Sequence, residues 1–115
     1  MNIKTTLKSG YQILRVTGLD AQDFCATHVV DIVQDFLANG QQHFALSFSD
    51  SNADDNSKLG ILVKCNEIVG KRGGRIVFLE SDRAASPFFH FVCNLYDIHT
   101  CRSEEELEES AAITQ

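Results

Sequence analysis

Alternating apolar and polar residues open the chain and predict a β-hairpin. Over residues 3–8, Ile3 and Leu7 stand on an apolar side and lysines on the other, which is the period of a strand with one wet face. A Ser-Gly turn follows, and residues 11–17 form a second strand-like run. The two strands are therefore expected to pair at the start of the fold.

Helical spacing characterises the next segment. Asp20 can cap a helix by accepting a hydrogen bond from a free backbone N–H, and Asp23 adds favourable charge in the first turn. Asn39 and Gly40 supply a C-terminal stop. On this helix, the stripe expected to face the core of the domain comprises Phe24, His28, Val29, Ile32, Val33, Phe36 and Leu37.

A short apolar run at residues 43–49 predicts the central strand, because it is too short for a helix between its flanking turns. A second amphipathic helix is predicted from about Ser57, and Gly73 and Gly74 end it before a strand at residues 75–80. Its apolar face comprises Leu59, Leu62, Val63, Cys65, Ile68 and Val69.

Capping residues define the last third of the chain. Ser86 as N-cap, with Pro87 at the first helical position, opens a short third helix, and residues 97–101 predict a marginal final strand. Ser103 with Glu106 forms a capping box for an acidic terminal helix. The order β-β-α-β-α-β-α-β-α predicts an α/β fold with a mixed, mostly parallel sheet and an antiparallel edge at the first hairpin.

Length and charge narrow the class of protein. Residues 1–115, including the acidic helix at 103–110, are expected to form one domain with 43% hydrophobic residues. The net charge of −6 opposes a general nucleic-acid surface and favours a protein partner or a neutral ligand. No segment has the apolar length of a signal peptide or a membrane span, so we predict a cytoplasmic protein without membrane insertion.

Candidate chemistry is sparse, and we predict no catalytic residue, metal or cofactor. The cysteines lack zinc-ligand spacing and are expected to be buried thiols in preference to a metal or disulfide framework; they are Cys25, Cys65, Cys93 and Cys101. The histidines accompany no nucleophile motif and are expected to be structural or at the surface; they are His28, His43, His90 and His99. The Gly-rich and basic residues 70–75 follow a helix, so they favour a turn over a phosphate cradle.

Three local patterns and the order of elements resemble the STAS domain family, named for sulfate transporters and anti-sigma factor antagonists. "VTGLD" (16–20) resembles the family's G-x-L-D turn into its first helix. "DDNSKLG" (54–60) is similar to its D-S-S-G-L-G loop, and "KRGGRIVFL" (71–79) to its helix-Gly-Gly-strand step. With the "NLYDI" ending of the third helix, the resemblance covers nearly the whole chain.

The resemblance implies a non-enzymatic binding module. Single-domain bacterial members of the family bind a serine-kinase anti-sigma factor, which has a histidine-kinase-like ATPase fold, and so release the sigma factor. Phosphorylation of the first Ser after the loop Asp abolishes that binding, and a PP2C-type phosphatase restores it. Some single-domain relatives are instead accessory subunits of ABC-type membrane lipid transport systems, and this alternative stays open.

The family pattern can be carried over residue by residue. Asp55 matches the loop Asp, whereas Asn56 occupies the phospho-acceptor position and cannot accept phosphate. Ser57 keeps a hydroxyl at the next position and is a possible substitute, while Lys58 replaces the family's Gly. The implied partner-binding residues are Asp20, Asp55, Asn56, Ser57, Lys58 and Leu59. These departures put phosphoregulation in question more than the fold.

Overall fold

The strands and helices follow one another in the order that the hydrophobic pattern predicts. The computed structural model describes residues 2–17, 26–49, 55–80, 87–103 and 105–107, without the side chains of residues 26, 27, 49, 55 and 56. In these ranges the elements are β1 (Asn2–Lys8), β2 (Tyr11–Thr17), α1 (Ala26–Ala38), β3 (His43–Ser49), α2 (Asp55–Lys71), β4 (Arg75–Leu79), α3 (Pro87–Leu95) and β5 (His99–Cys101). A helical turn at residues 105–107 follows.

The strands form one five-stranded sheet in the order β1-β2-β3-β4-β5. β1 pairs antiparallel with β2 from Lys8↔Tyr11 outward, and the other three pairings are parallel. Ser9 and Gly10 have φ values of 55° and 82°, as the two-residue type I′ turn of a hairpin requires. The mixed sheet, its antiparallel edge and the central place of β3 are thus confirmed.

The sheet buries a different cluster on each face. The helices α1, α2 and α3 pack on one face, against inward residues of the central strands: Leu14, Val16, Phe44, Leu46, Ile76 and Phe78. The opposite face forms a smaller cluster, in which Leu107 of the C-terminal turn packs with residues of four strands: Tyr11, Ile13, Ala45, Val77, Leu79 and Cys101. Because all three connecting helices lie on the same side of the sheet, each right-handed crossover places the next strand on the same side of the previous one. The order of the strands in the sheet therefore follows their order in the sequence.

Each of the three helices ends in a Schellman motif, with a residue of positive φ just beyond it. At the end of α2, Gly73 has φ 76° and donates its N–H to the carbonyl of Gly70, while Gly74 donates to the carbonyl of Val69, both at 3.0 Å. Asp97, with φ 58°, has the corresponding place after α3. The prediction of strand from residue 97 was therefore wrong for Asp97 and Ile98, and β5 begins at His99.

Two residues expected to face the core are exposed. Leu7 lies on the helix side of the sheet by its register with Gln12, yet it is 63% exposed because the helices do not cover this part of the edge strand. His28 is also exposed, since it lies about 150° around α1 from the centre of the buried stripe. That stripe consists of Val29, Val30, Val33 and Leu37.

The capping box after β5 forms with one change of partner. Ser103 Oγ accepts a hydrogen bond from the backbone N–H of Glu106 at 3.3 Å, as predicted. The carboxylate of Glu106 accepts from the N–H of Arg102, at 2.6 Å, one residue before the position expected. Residue 104 and residues 108–110 of the predicted acidic helix lie outside the described residues.

Candidate functional site

The carboxyl ends of the parallel strands lie at one edge of the sheet. Thr17 pairs with Ser49, so β2 and β3 end level with each other, and β4 runs in the same direction beside them. The chain leaves β3 at this edge and begins α2 at Asp55. Ligand and partner sites of parallel sheets gather at this edge, because connections there vary without disturbing the strands.

The start of α2, residues 55–60, contains most of the candidate binding residues. Ser57 is exposed and Lys58 is half-buried. Leu59 is only 5% exposed and belongs to the hydrophobic cluster between the helices and the sheet. It therefore anchors the start of α2, while Ser57 and Lys58 lie at the surface. The structure thus brings Ser57, Lys58 and Leu59 together at the carboxyl edge.

The remaining candidates are only partly described. Asp55 and Asn56 have helical backbone, and their side chains lie outside the described residues. Asp20 also lies outside them, three residues beyond the end of β2. Cys25, the predicted first-turn charge Asp23 and the predicted N-cap Ser86 also lie outside the described residues.

Hydrophobic contacts anchor α2 behind this surface. The predicted apolar face is confirmed, with a further buried residue at Ile61. Its fully or nearly buried members are Leu59, Ile61, Leu62, Cys65 and Val69. Burial of side chains of this size stabilises a fold by roughly 1.5–3 kcal/mol each. The exposed end of the helix is therefore presented on a rigid support.

A polar pair at the same edge was not foreseen from the sequence. His90 Nε2 of α3 donates a hydrogen bond to Glu80 Oε1 in the residue after β4, and the Glu80 side chain is only 11% exposed. The Glu80 backbone N–H donates to the carbonyl of Cys101 at 2.8 Å. In the sequence, Glu80 follows an apolar strand and His90 lies among aromatic residues, so no motif or spacing indicates that the two side chains interact. The pair joins β4, β5 and α3.

The buried cysteine thiols are poor nucleophiles. Cys65, Cys93 and Cys101 are free and buried, as predicted. Burial raises the pKa of the Cys65 thiol to about 12, and burial together with the Glu80 carboxylate raises the pKa of Cys93 to about 11. A thiol that keeps its proton is a poor nucleophile. Glu80, His90 and Cys93 therefore do not form an activated cysteine site.

Other candidate chemistry is equally limited in the described ranges. There, no group of three or more His, Cys, Asp or Glu side chains is placed to hold a metal ion. His28, His43 and His99 are exposed. Among those same residues, no helix combines the length and apolar character needed to cross a lipid bilayer. Residues 72–74 form the helix-to-strand turn that the sequence predicts.

Two solved structures match almost the whole chain. The anti-sigma factor antagonist SpoIIAA in its unphosphorylated form superposes with a TM-score of 0.70 at 15% identity, covering 96% of this chain and 98% of SpoIIAA. The chain has the STAS fold. The phosphorylated form of SpoIIAA, a Bacillus cell fate determinant, gives a TM-score of 0.62 at 14% identity, covering 95% of this chain and 99% of SpoIIAA.

At these identities the likeness shows the fold. No protein-family model and no curated protein sequence matches the chain. The STAS fold was nevertheless predicted from short motifs and the order of the elements, because glycine turns and capping residues reflect backbone geometry.

Proposed function

We propose that this chain is a non-enzymatic, cytoplasmic protein-binding domain that acts as an anti-sigma factor antagonist. Its partner would be a serine-kinase anti-sigma factor with a histidine-kinase-like ATPase fold, bound in a bacterial partner-switching pathway that regulates transcription. The observation that carries this proposal is the STAS fold, shared over 96% of the chain with the antagonist SpoIIAA. The net charge of −6 agrees with a protein partner in preference to nucleic acid.

The proposed contact surface is the α2 start together with Asp20. Exposed Ser57 and half-buried Lys58 precede Leu59, which is buried in the core, so the backbone at these two positions is preorganised for binding. Lys58 is also a cation in the first turn of a helix, where the positive end of the helix dipole opposes it. Because Lys58 does not stabilise the helix at this position, it is a good candidate for a role in binding.

Regulation by phosphate would differ from the usual pattern in this fold. SpoIIAA occurs in phosphorylated and unphosphorylated forms. In this chain Asn56 stands at the acceptor position by its match to the family loop, and its amide cannot take a phosphate. We therefore propose that the kinase cannot switch this protein off at position 56. A PP2C-type phosphatase would act on it only if Ser57 were phosphorylated.

Co-purification followed by direct binding tests the proposal. Affinity-tagged protein expressed in its native cells should retain a kinase of the histidine-kinase-like ATPase class, identified by mass spectrometry. The two purified proteins should then form a complex in isothermal titration calorimetry. Recovery and direct binding of an ABC-type transport ATPase instead would replace this proposal with the accessory-subunit function.

A further inference from the structure

Large hydrophobic side chains are exposed along α3 and at the turn that follows it. Phe88, Phe91 and Leu95 are 53%, 62% and 68% exposed, and Tyr96 is 49% exposed. The spacing i, i+3, i+7 places the first three on one side of the helix, while Phe89 and Cys93 face the core. We call Phe88, Phe91, Leu95 and Tyr96 the α3 stripe.

The area of the α3 stripe is of the order that a weak dimer buries. A fully accessible aromatic side chain presents roughly 150–250 Å², so the four residues expose about 400 Å² together. This lies within the range of the largest apolar patches on monomers, about 300–600 Å², which are often functional. Two copies in contact would bury about 800 Å² from the stripes alone, and their polar rims would bring the total towards about 1,000 Å².

The charge distribution favours a second copy at this surface. Residues 87–96 contain no Asp, Glu, Lys or Arg. In a two-fold contact the same patch faces itself, so any charge near the axis meets a like charge. Because the chain has a net charge of −6, a helical segment without carboxylates, bounded by the exposed Asp97, allows two copies to approach with little repulsion.

We propose that the α3 stripe is the contact surface of a reversible, symmetric homodimer. The two α3 helices cross at a two-fold axis, with Phe91 nearest the axis because it lies between Phe88 and Leu95 in the stripe. The proposal rests on exposure, area and charge, and it does not depend on the function proposed for the α2 start.

Sedimentation velocity of the full chain, from about 1 µM to about 1 mM, tests the dimer over the range in which weak complexes are half-formed. We expect a concentration-dependent monomer–dimer equilibrium. Phe91→Glu should raise the dimer dissociation constant about 30-fold or more, because it places two carboxylates at the axis. Leu7→Glu is the matched control: Leu7 is 63% exposed on β1, and its substitution should leave the equilibrium unchanged.

Mixing two charge variants separates a direct contact from an indirect effect on the fold. Phe91→Glu and Phe91→Lys should each be monomeric alone and should associate when mixed, since opposite charges then meet at the axis. A wild-type chain that stays monomeric at all concentrations would overturn the proposal. Equal weakening by Leu7→Glu, or no association in the mixture, would also overturn it.

Discussion

The imidazole of His90 is hydrogen-bonded to the largely buried carboxylate of Glu80, across the gap between α3 and the end of β4. Both residues lie towards the carboxyl edge of the sheet, where the α2 start is also placed. The hydrogen bond therefore fixes α3 against the end of β4, at the same edge of the sheet as the surface proposed for partner binding.

We expect His90→Ala to lower the free energy of unfolding by about 1–2 kcal/mol, because it removes the hydrogen-bond partner of a mostly buried carboxylate. His99→Ala, at an exposed histidine on β5, should change it by less than about 0.5 kcal/mol. Urea denaturation measures both. Combining Glu80→Gln with His90→Ala should cost less than the sum of the single changes, and strict additivity would contradict a direct interaction.

Charge reversal at the α2 start should weaken kinase binding without unfolding the protein. Lys58→Glu reverses the charge of the proposed contact, and it should leave thermal stability equal or slightly higher because a carboxylate suits a helix N-terminus. Lys64→Glu makes the same change at an exposed position farther along α2 and should bind normally. Calorimetric titration with the kinase gives both affinities. Equal weakening in the two variants would indicate net charge instead of a local contact.

Phosphorylation should depend on residue 56. Incubated with its kinase and ATP, the wild-type chain should acquire little phosphate, because Ser57 lies about 100° around the helix from the usual acceptor position and cannot easily align with the γ-phosphate. Asn56→Ser should be phosphorylated efficiently at position 56. Mass spectrometry locates the phosphate. Rapid, stoichiometric modification of Ser57 in the wild-type chain would make Ser57 the regulatory residue.

The buried thiol of Cys65 should make the protein less stable at high pH. Its pKa is about 12 in the folded protein and 9.0 ordinarily, so above pH 9.0 the unfolded chain loses a proton that the folded chain retains. Stability from this group is complete below pH 9.0 and declines as pH rises towards 12, by at most about 1.4 kcal/mol per pH unit. Urea titrations at several pH values should show a flatter decline in Cys65→Ala. Parallel curves would rule out this origin.

Two glycines should respond oppositely to alanine. A Cβ at Gly74 would lie 2.2 Å from the carbonyl oxygen of Gln42 and 2.8 Å from Val69 Cγ1, so Gly74→Ala requires a backbone shift and should destabilise the fold by more than about 1 kcal/mol. A Cβ at Gly60, inside α2, meets nothing within 4 Å. Gly60→Ala should raise stability by about 0.5–1 kcal/mol through helix propensity. Thermal unfolding compares the two, and a stabilising Gly74→Ala would contradict the close approach.

The placement of the candidate residues at the start of α2 could be predicted because turn and capping motifs reflect local backbone geometry. Asp55 to Leu59 were selected from a polar loop before an apolar helical run, and the structure places the described members at the carboxyl edge of the sheet. The Glu80–His90 pair had no such pattern, since its residues come from different elements ten positions apart. A contact of this kind depends on how α3 sits on the sheet.

The sequence by itself determined the order of the elements, the hairpin turn, the C-terminal ends of α1 and α2 and the mixed sheet, because turn residues and hydrophobic periods act within a few positions of one another. Only the tertiary structure decided which apolar residues are covered. Phe89 and Phe91 are equally apolar, yet one is 2% and the other 62% exposed. The reason is that apolar residues occupy slightly more than half of the circumference of α3, so the hydrophobic period alone does not separate Phe89 from Phe91, and contact with the sheet does.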